Sequence, residues 1–145
     1  MLKAVIFDFD GVIADSELLH YKAINQIVAR FGVDIPKEKY WEHYLGYTDL
    51  DCFKAVSDHY ELKLNDKMLW NLVDEKFTVF EELVHNGTTI IDGVTDFVKM
   101  LVDNNLPLAI CSGAVAADIS LMLQSSELKT IFKTIISADD IENGK

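Results

Sequence analysis

Two carboxylates separated by a single residue are the strongest chemical signal in the sequence. Asp8 and Asp10 follow the apolar residues 4–7 and precede Gly11. A spacing of two along an extended chain directs both side chains to the same side. Because like charges at short range disfavour each other's ionised form, such a pair needs a cation or a shared proton.

Each of these two solutions predicts a different role for the pair. A magnesium ion takes hard oxygen ligands and leaves room for a substrate phosphate. A shared proton leaves one carboxylate as a nucleophile and the other as a general acid and base. The pair therefore predicts phosphate or proton chemistry at the end of a strand.

Polar residues also follow the next two apolar runs of the predicted sheet. Ser112 and Gly113 come after residues 106–111, and four charged residues follow residues 133–137. The four are Asp139, Asp140, Glu142 and Lys145. Because ligands bind beyond the carboxyl ends of parallel strands, we expect these residues to share one edge with Asp8.

The elements that must position these residues are short strands alternating with helices. Apolar runs predict strands over residues 3–9, 106–111 and 133–137. Apolar residues spaced by three and four predict helices over residues 16–31, 36–45, 48–60, 65–86, 93–104 and 116–123. Strands that alternate with helices indicate an α/β fold, here a Rossmann-like parallel sheet.

The long helical stretch after the first strand predicts a second domain. Residues 16–86 contain only helical patterns, so we expect them to form an inserted α-helical cap domain over the carboxyl edge of the sheet. Residues 1–15 and 87–145 then form the α/β core. A sheet usually has about five or six strands, and only three are predicted here. We therefore expect this core to be incomplete at its carboxyl end.

Composition excludes several classes of partner and location. The chain has 145 residues and a formal net charge of -11, with no basic run that could follow a phosphate backbone or an anionic bilayer. We therefore expect neither nucleic acid nor membrane as a partner. Cys52 and Cys111 lie far apart in apolar surroundings, which predicts reduced, buried thiols and a cytoplasmic location.

At this point the motifs resemble a known family. Asp8-Phe9-Asp10-Gly11-Val12, Ser112 after the next strand and Gly144-Lys145 after the third are similar to the first three motifs of the haloacid dehalogenase superfamily. Asp15-Ser16-Glu17 and His20 fit its helical-cap subgroup, which includes β-phosphoglucomutase and phosphoglycolate phosphatase.

The resemblance implies a role for each motif residue. Asp8 would attack phosphorus and form an aspartyl-phosphate, while Asp10 would protonate the leaving oxygen and later activate water. Asp8 and the backbone carbonyl of Asp10 would ligate Mg²⁺. Four further positions would bind the transferred phosphoryl group or neutralise its charge: Ser112, the backbone N–H groups of Gly113 and Ala114, and Lys145.

The sequence departs from the family pattern after its third motif. A further acidic pair that completes the magnesium site would follow Lys145, where this sequence stops, and Asp139 and Asp140 precede the lysine. We therefore expect either a missing carboxyl-terminal segment or self-association that supplies partner strands.

Three residues of the predicted cap are candidates for contacts with the substrate: Thr48, His20 and Lys76. Residues 46–49 resemble the subgroup's specificity loop, but Asp49 stands where a sugar-phosphate mutase would present a basic residue. Lys76 interrupts the apolar stripe of the longest helix, which suits a cleft residue but fits a surface lysine better.

Together these features predict a magnesium-dependent phosphatase that acts on a small phosphorylated metabolite. Asp49 weakens the first alternative, a phosphomutase similar to β-phosphoglucomutase. The second alternative is a non-catalytic fragment that serves as an interaction module.

Overall fold

A computed structural model describes residues 1–87, 90–124 and 126–141 of the chain. The chain divides into two compact units, Met1–Ser16 with Gly87–Lys145 and Glu17–Asn86. The first unit contains β1 (Val5–Phe7), α5 (Val94–Asp103), β2 (Leu108–Cys111), α6 (Ala116–Leu123) and β3 (Thr134–Ile136). The second unit contains α1 (Glu17–Val28), α2 (Lys37–His43), α3 (Asp49–His59) and α4 (Asp66–His85).

The strands of the first unit form a parallel sheet, which confirms the predicted α/β fold class. Within the described residues the strand order is β1-β2-β3, so β2 lies in the centre. Ile6 pairs with Ala109, and Ile110 pairs with Ile135. The parallel register brings the carboxyl ends of all three strands to one edge of the sheet.

The core of the α/β unit lies on the side of the sheet that faces its helices. Phe7 is buried and meets the ring of Phe97 on α5 edge-on, with the ring centroids 6.2 Å apart. Its neighbour Ile6 is 69% exposed, because successive side chains of a strand point to opposite faces. The other buried apolar side chains of this unit include Phe9, Ile13, Val98, Ile110, Ile119, Met122 and Leu128.

The helical unit has a core of its own, formed where α1 and α3 pack against α4. Its buried members are Ile24, Ile27, Val28, Val33, Ile35, Tyr40, Tyr44, Cys52, Phe53, Val56, Leu69 and Leu72. Polar side chains cap two of the helices. Thr48 caps α3 by accepting the N–H of Asp51, and Asn65 caps α4 by accepting the N–H of Met68.

No helix within residues 1–87, 90–124 and 126–141 is long and apolar enough to cross a membrane.

Both cysteines are free; Cys52 is buried, whereas Cys111 is only partly buried. Burial raises the pKa of the Cys52 thiol to about 12, so this thiol is held in its neutral, unreactive form.

Candidate active site

A tight turn at the end of β1 holds the two carboxylates predicted to do chemistry. The carbonyl of Phe9 accepts the N–H groups of Ile13 and Ala14 at 2.8 and 3.0 Å, and the N–H of Gly11 donates to the carbonyl of Ala14 at 2.8 Å. Gly11 has a φ of 73°, a left-handed conformation that favours glycine. Because Phe9 and Ile13 are fully buried, they anchor the turn in the core.

The two carboxylates have different surroundings. Asp8 is exposed, and its Oδ1 accepts the N–H of Phe9 at 2.8 Å. Asp10 is half-buried, and its Oδ1 accepts a hydrogen bond from the hydroxyl of Ser16, whose side chain is fully buried. Asp8 therefore faces solvent, while a buried hydroxyl orients Asp10.

The oxygen donors at this turn suit a hard cation. Asp8 could contribute a carboxylate oxygen and Asp10 its backbone carbonyl oxygen. In the part of the chain that the structure describes, no cluster of three or more His, Cys, Asp or Glu side chains could hold a metal by itself. The donor set thus fits an ion that takes one or two carboxylates and obtains its remaining ligands from water and substrate phosphate.

The loop after β2 brings Ser112 to the same edge of the sheet. Ser112 is buried, and its backbone N–H donates to the carbonyl of Ile136 at 2.9 Å, while Gly113 is exposed. The N–H of Ala114 donates to Ser112 Oγ at 3.0 Å. The Ser112 oxygen is the acceptor in this bond, so the bond does not use the hydroxyl hydrogen, which can be donated to a ligand.

The acidic residues after β3 make hydrogen bonds to the backbone. Asp139 Oδ2 accepts the N–H of Ala116 at 2.8 Å. Asp140 Oδ2 accepts the N–H and the hydroxyl of Ser137 at 2.8 and 2.9 Å, and these bonds hold the pKa of Asp140 below its ordinary value. The other predicted site residues of this segment, Glu142, Gly144 and Lys145, lie outside the described residues.

In the helical unit, Lys76 connects two other residues of the sequence prediction. Lys76 Nζ lies 2.9 Å from Asp49 Oδ2, 2.8 Å from His20 Nδ1 and 4.5 Å from the ring centroid of Phe80. The Lys76 side chain has no exposed surface, so the interpretation as a surface lysine is wrong. A lysine is tolerated there because the carboxylate and the aromatic ring compensate its charge.

The lysine also determines how His20 can form hydrogen bonds. An ammonium group only donates, so His20 Nδ1 must accept and the imidazole proton resides on Nε2. The ring stacks on Phe80 with its centroid 4.4 Å away. Burial, together with the charge of Lys76, lowers the pKa of His20 to about 3, so the ring is neutral at physiological pH.

Thr48 caps helix α3, in addition to its predicted contact with the substrate. Its exposed hydroxyl accepts the N–H of Asp51 at 3.2 Å and donates to Asp51 Oδ2 at 2.8 Å. The sequence did not reveal the partners of Asp10 and Lys76, namely Ser16 and Asp49. The position of Lys76 within an apolar stripe was the one signal of a buried partner.

Comparison with known sequences supplies a family match along nearly the whole chain. The sequence profile of the haloacid dehalogenase-like hydrolases matches residues 5–145. A phosphorylated carbohydrates phosphatase of Thermotoga maritima is 23% identical over 99% of the chain. The chain spans 65% of the length of that relative.

Comparison with solved structures finds the same fold in other proteins. The CbbY protein of Rhodobacter sphaeroides in complex with phosphate superimposes with a TM-score of 0.83 at 20% identity, over 100% of this chain and 67% of that one. A β-phosphoglucomutase of Clostridium difficile gives a TM-score of 0.83 at 23% identity, over 100% of this chain and 66% of that one. At such identities the likeness concerns the fold alone.

Proposed function

The chain belongs to the haloacid dehalogenase-like hydrolase family, and we propose that it hydrolyses small phosphate monoesters with Asp8 as the nucleophile. One observation carries the proposal: the turn after β1 holds an exposed carboxylate, Asp8, and an oriented one, Asp10, two residues apart. The phosphatase name of the Thermotoga maritima relative supports the same class of reaction.

In the first step, an oxygen of Asp8 bonds to phosphorus as the bond between phosphorus and the leaving oxygen breaks. Asp10 gives its proton to the leaving oxygen, which departs as an alcohol. In the second step, Asp10 takes a proton from water, and the resulting hydroxide attacks phosphorus. The bond from phosphorus to Asp8 breaks, which frees inorganic phosphate and regenerates the Asp8 carboxylate.

Three groups of the chain and a bound metal ion would stabilise the charge on the phosphoryl oxygens. The hydroxyl of Ser112 and the N–H of Gly113 would donate hydrogen bonds to them. Lys145, known here from the sequence only, would add a positive charge. Mg²⁺, held by Asp8 and by the carbonyl of Asp10, would neutralise phosphoryl charge when bound.

Residues of the helical unit are proposed to set the preference among substrates. Thr48, His20 and Lys76 are the candidates. Asp49 is acidic at the position where a mutase would present a basic residue to a second phosphate, and it pairs with Lys76. We therefore propose hydrolysis of substrates with one phosphate rather than transfer between the two positions of a sugar bisphosphate.

Measurement of released inorganic phosphate tests the proposal. The protein is incubated with a panel of sugar phosphates and other phosphate monoesters, with Mg²⁺ or with a chelator. We expect release that requires the metal and is absent in Asp8→Asn. Release that persists in Asp8→Asn would show that another group carries the reaction, and no release from any phosphate monoester would reject the proposed activity.

A further inference from the structure

Hydrogen bonds join the loop that carries Ser112 to the end of β3 and to the turn that follows it. The N–H of Ser112 donates to the carbonyl of Ile136, and the N–H of Ala138 donates to the carbonyl of Ala114, each at 2.9 Å. A third bond, from the N–H of Ala116 to Asp139 Oδ2, measures 2.8 Å. Of these three, the bond to Asp139 alone uses a side chain.

Asp139 supplies a cap that helix α6 does not provide for itself. The first N–H groups of a helix have no partner within it and need an outside acceptor. The N-cap residue of α6 is Val115, whose side chain makes no capping hydrogen bond. The carboxylate of Asp139 accepts the N–H of the first helical residue instead, at the end of the helix that favours a negative charge.

The turn that presents Asp139 is itself held firmly. Ser137 is buried, and its hydroxyl oxygen accepts the N–H of Asp139 at 3.3 Å. Asp140 completes a capping box by accepting the N–H of Ser137. These bonds hold the backbone of the turn that presents Asp139.

From this arrangement we infer that Asp139 is a positioning residue for the phosphoryl-binding loop. By accepting the N–H of Ala116, it fixes the far end of the loop, while strand β2 fixes the near end at Ser112. The hydroxyl of Ser112 and the N–H of Gly113 are then held in place before an anion arrives. The inference rests on the proposed function, because it assumes that this loop binds a phosphoryl group.

The positioning role of Asp139 depends on its hydrogen bond to Ala116 rather than on its charge. Asp139→Asn keeps an acceptor oxygen at the same place, whereas Asp139→Ala removes it. We expect Asp139→Ala to raise KM and the inhibition constant of inorganic phosphate about tenfold, as the loss of a helix cap implies. In Asp139→Asn both constants should stay within about threefold of wild type, because the acceptor remains.

The experiment combines enzyme kinetics with amide hydrogen exchange in the same protein. KM, kcat and the inhibition constant of inorganic phosphate are measured with p-nitrophenyl phosphate and Mg²⁺. Exchange of the Ala114 and Ala116 amide protons is followed by NMR, and it should accelerate in Asp139→Ala but not in Asp139→Asn. Asp103→Ala, at the exposed end of α5, is the matched control.

Each outcome decides a different claim. A wild-type chain that neither turns over phosphate esters nor binds inorganic phosphate contradicts the proposed function itself, and with it the role of the loop. An active wild type with unchanged phosphate constants and amide exchange in Asp139→Ala overturns the positioning role alone. If Asp139→Ala fails to fold, a tenfold loss of phosphate affinity in Asp139→Asn overturns it, because the acceptor is still present.

Discussion

Lys76 and Asp49 form an ion pair in the interior of the helical unit, with Nζ 2.9 Å from Oδ2 and no exposed surface on the lysine side chain. The Asp49 side chain is 29% exposed, so the pair is buried on the side of the lysine only. A cation in an apolar interior is tolerated only with a partner. This asymmetry predicts unequal effects when either partner is removed.

Asp49→Ala should destabilise the helical unit more than Lys76→Met does. The first change leaves a buried charge with one fewer partner. The expected cost is about 3–4 kcal/mol in the free energy of unfolding, the lower part of the usual range, because water reaches Asp49. The second change leaves a carboxylate that water can solvate. Urea unfolding measures the free energy of unfolding of both variants.

Glu75→Ala is the control, because it breaks the exposed pair of Glu75 with Arg30 and should cost less than about 1 kcal/mol. Equal losses for Asp49→Ala and Glu75→Ala would mean that the buried pair does not support the unit.

The stability of the helical unit should fall as the pH is lowered from about 6.5. His20 has a pKa of about 3 in the folded chain and 6.5 as its ordinary value. Between these values the unfolded chain binds a proton at this residue and the folded chain does not, so acid favours unfolding. Urea unfolding at about pH 7.5 and about pH 5 should show a smaller pH effect in His20→Gln than in wild type.

His59→Gln, a substitution at an exposed histidine of α3, is the matched control for that comparison. If His20→Gln and wild type lose the same free energy of unfolding over this pH interval, His20 is not held neutral by burial in the folded chain.

Local sequence signals were sufficient for the elements of the fold. The limits of α6, Ala116–Leu123, agree with the predicted helix, and both Thr48 and Asn65 cap the helices that they were expected to begin. The three strands lie within the predicted apolar runs but are shorter at their ends. Such features depend on residues close together in sequence, which is why periodicity and capping patterns reveal them.

The interactions within the sites could not be predicted in the same way. Lys76 meets Asp49 and His20 across 27 and 56 residues of sequence. Nothing in the pattern of α4 alone shows that a carboxylate on α3 and an imidazole on α1 will compensate a charge in its apolar stripe. The bond between Asp139 and Ala116, 23 residues apart, likewise arises from strand order and not from a motif.

Asp10→Asn should reduce kcat for phosphate esters by roughly a hundred- to ten-thousand-fold, the usual effect of losing a general acid or base. Ser16→Ala should reduce it by about tenfold, because the carboxylate loses a donor that orients it. The double variant should be no slower than Asp10→Asn, since the hydroxyl acts through that carboxylate. If steady-state kinetics instead show that the two losses in kcat multiply in the double variant, Ser16 does not act through Asp10.

Magnesium binding should depend on the phosphate group. The oxygen donors of Asp8 and Asp10 leave much of the octahedral shell of Mg²⁺ to water, so the ion should bind weakly alone and more tightly with inorganic phosphate. Calorimetric titration of the chain with Mg²⁺, with and without phosphate, measures the difference. Tight binding in both conditions, retained in Asp8→Asn, would place the metal elsewhere.

The most direct test of the account is chemical capture of the phosphorylated intermediate. An acyl phosphate on an aspartate is reduced by borohydride to homoserine, whereas a free carboxylate is not. The chain is mixed with a phosphate ester that it hydrolyses, quenched in acid during turnover, reduced and analysed by peptide mass spectrometry. We expect homoserine at position 8 in wild type and no such product in Asp8→Asn. Phosphate release without reduction at position 8, or with reduction at another aspartate, would contradict it.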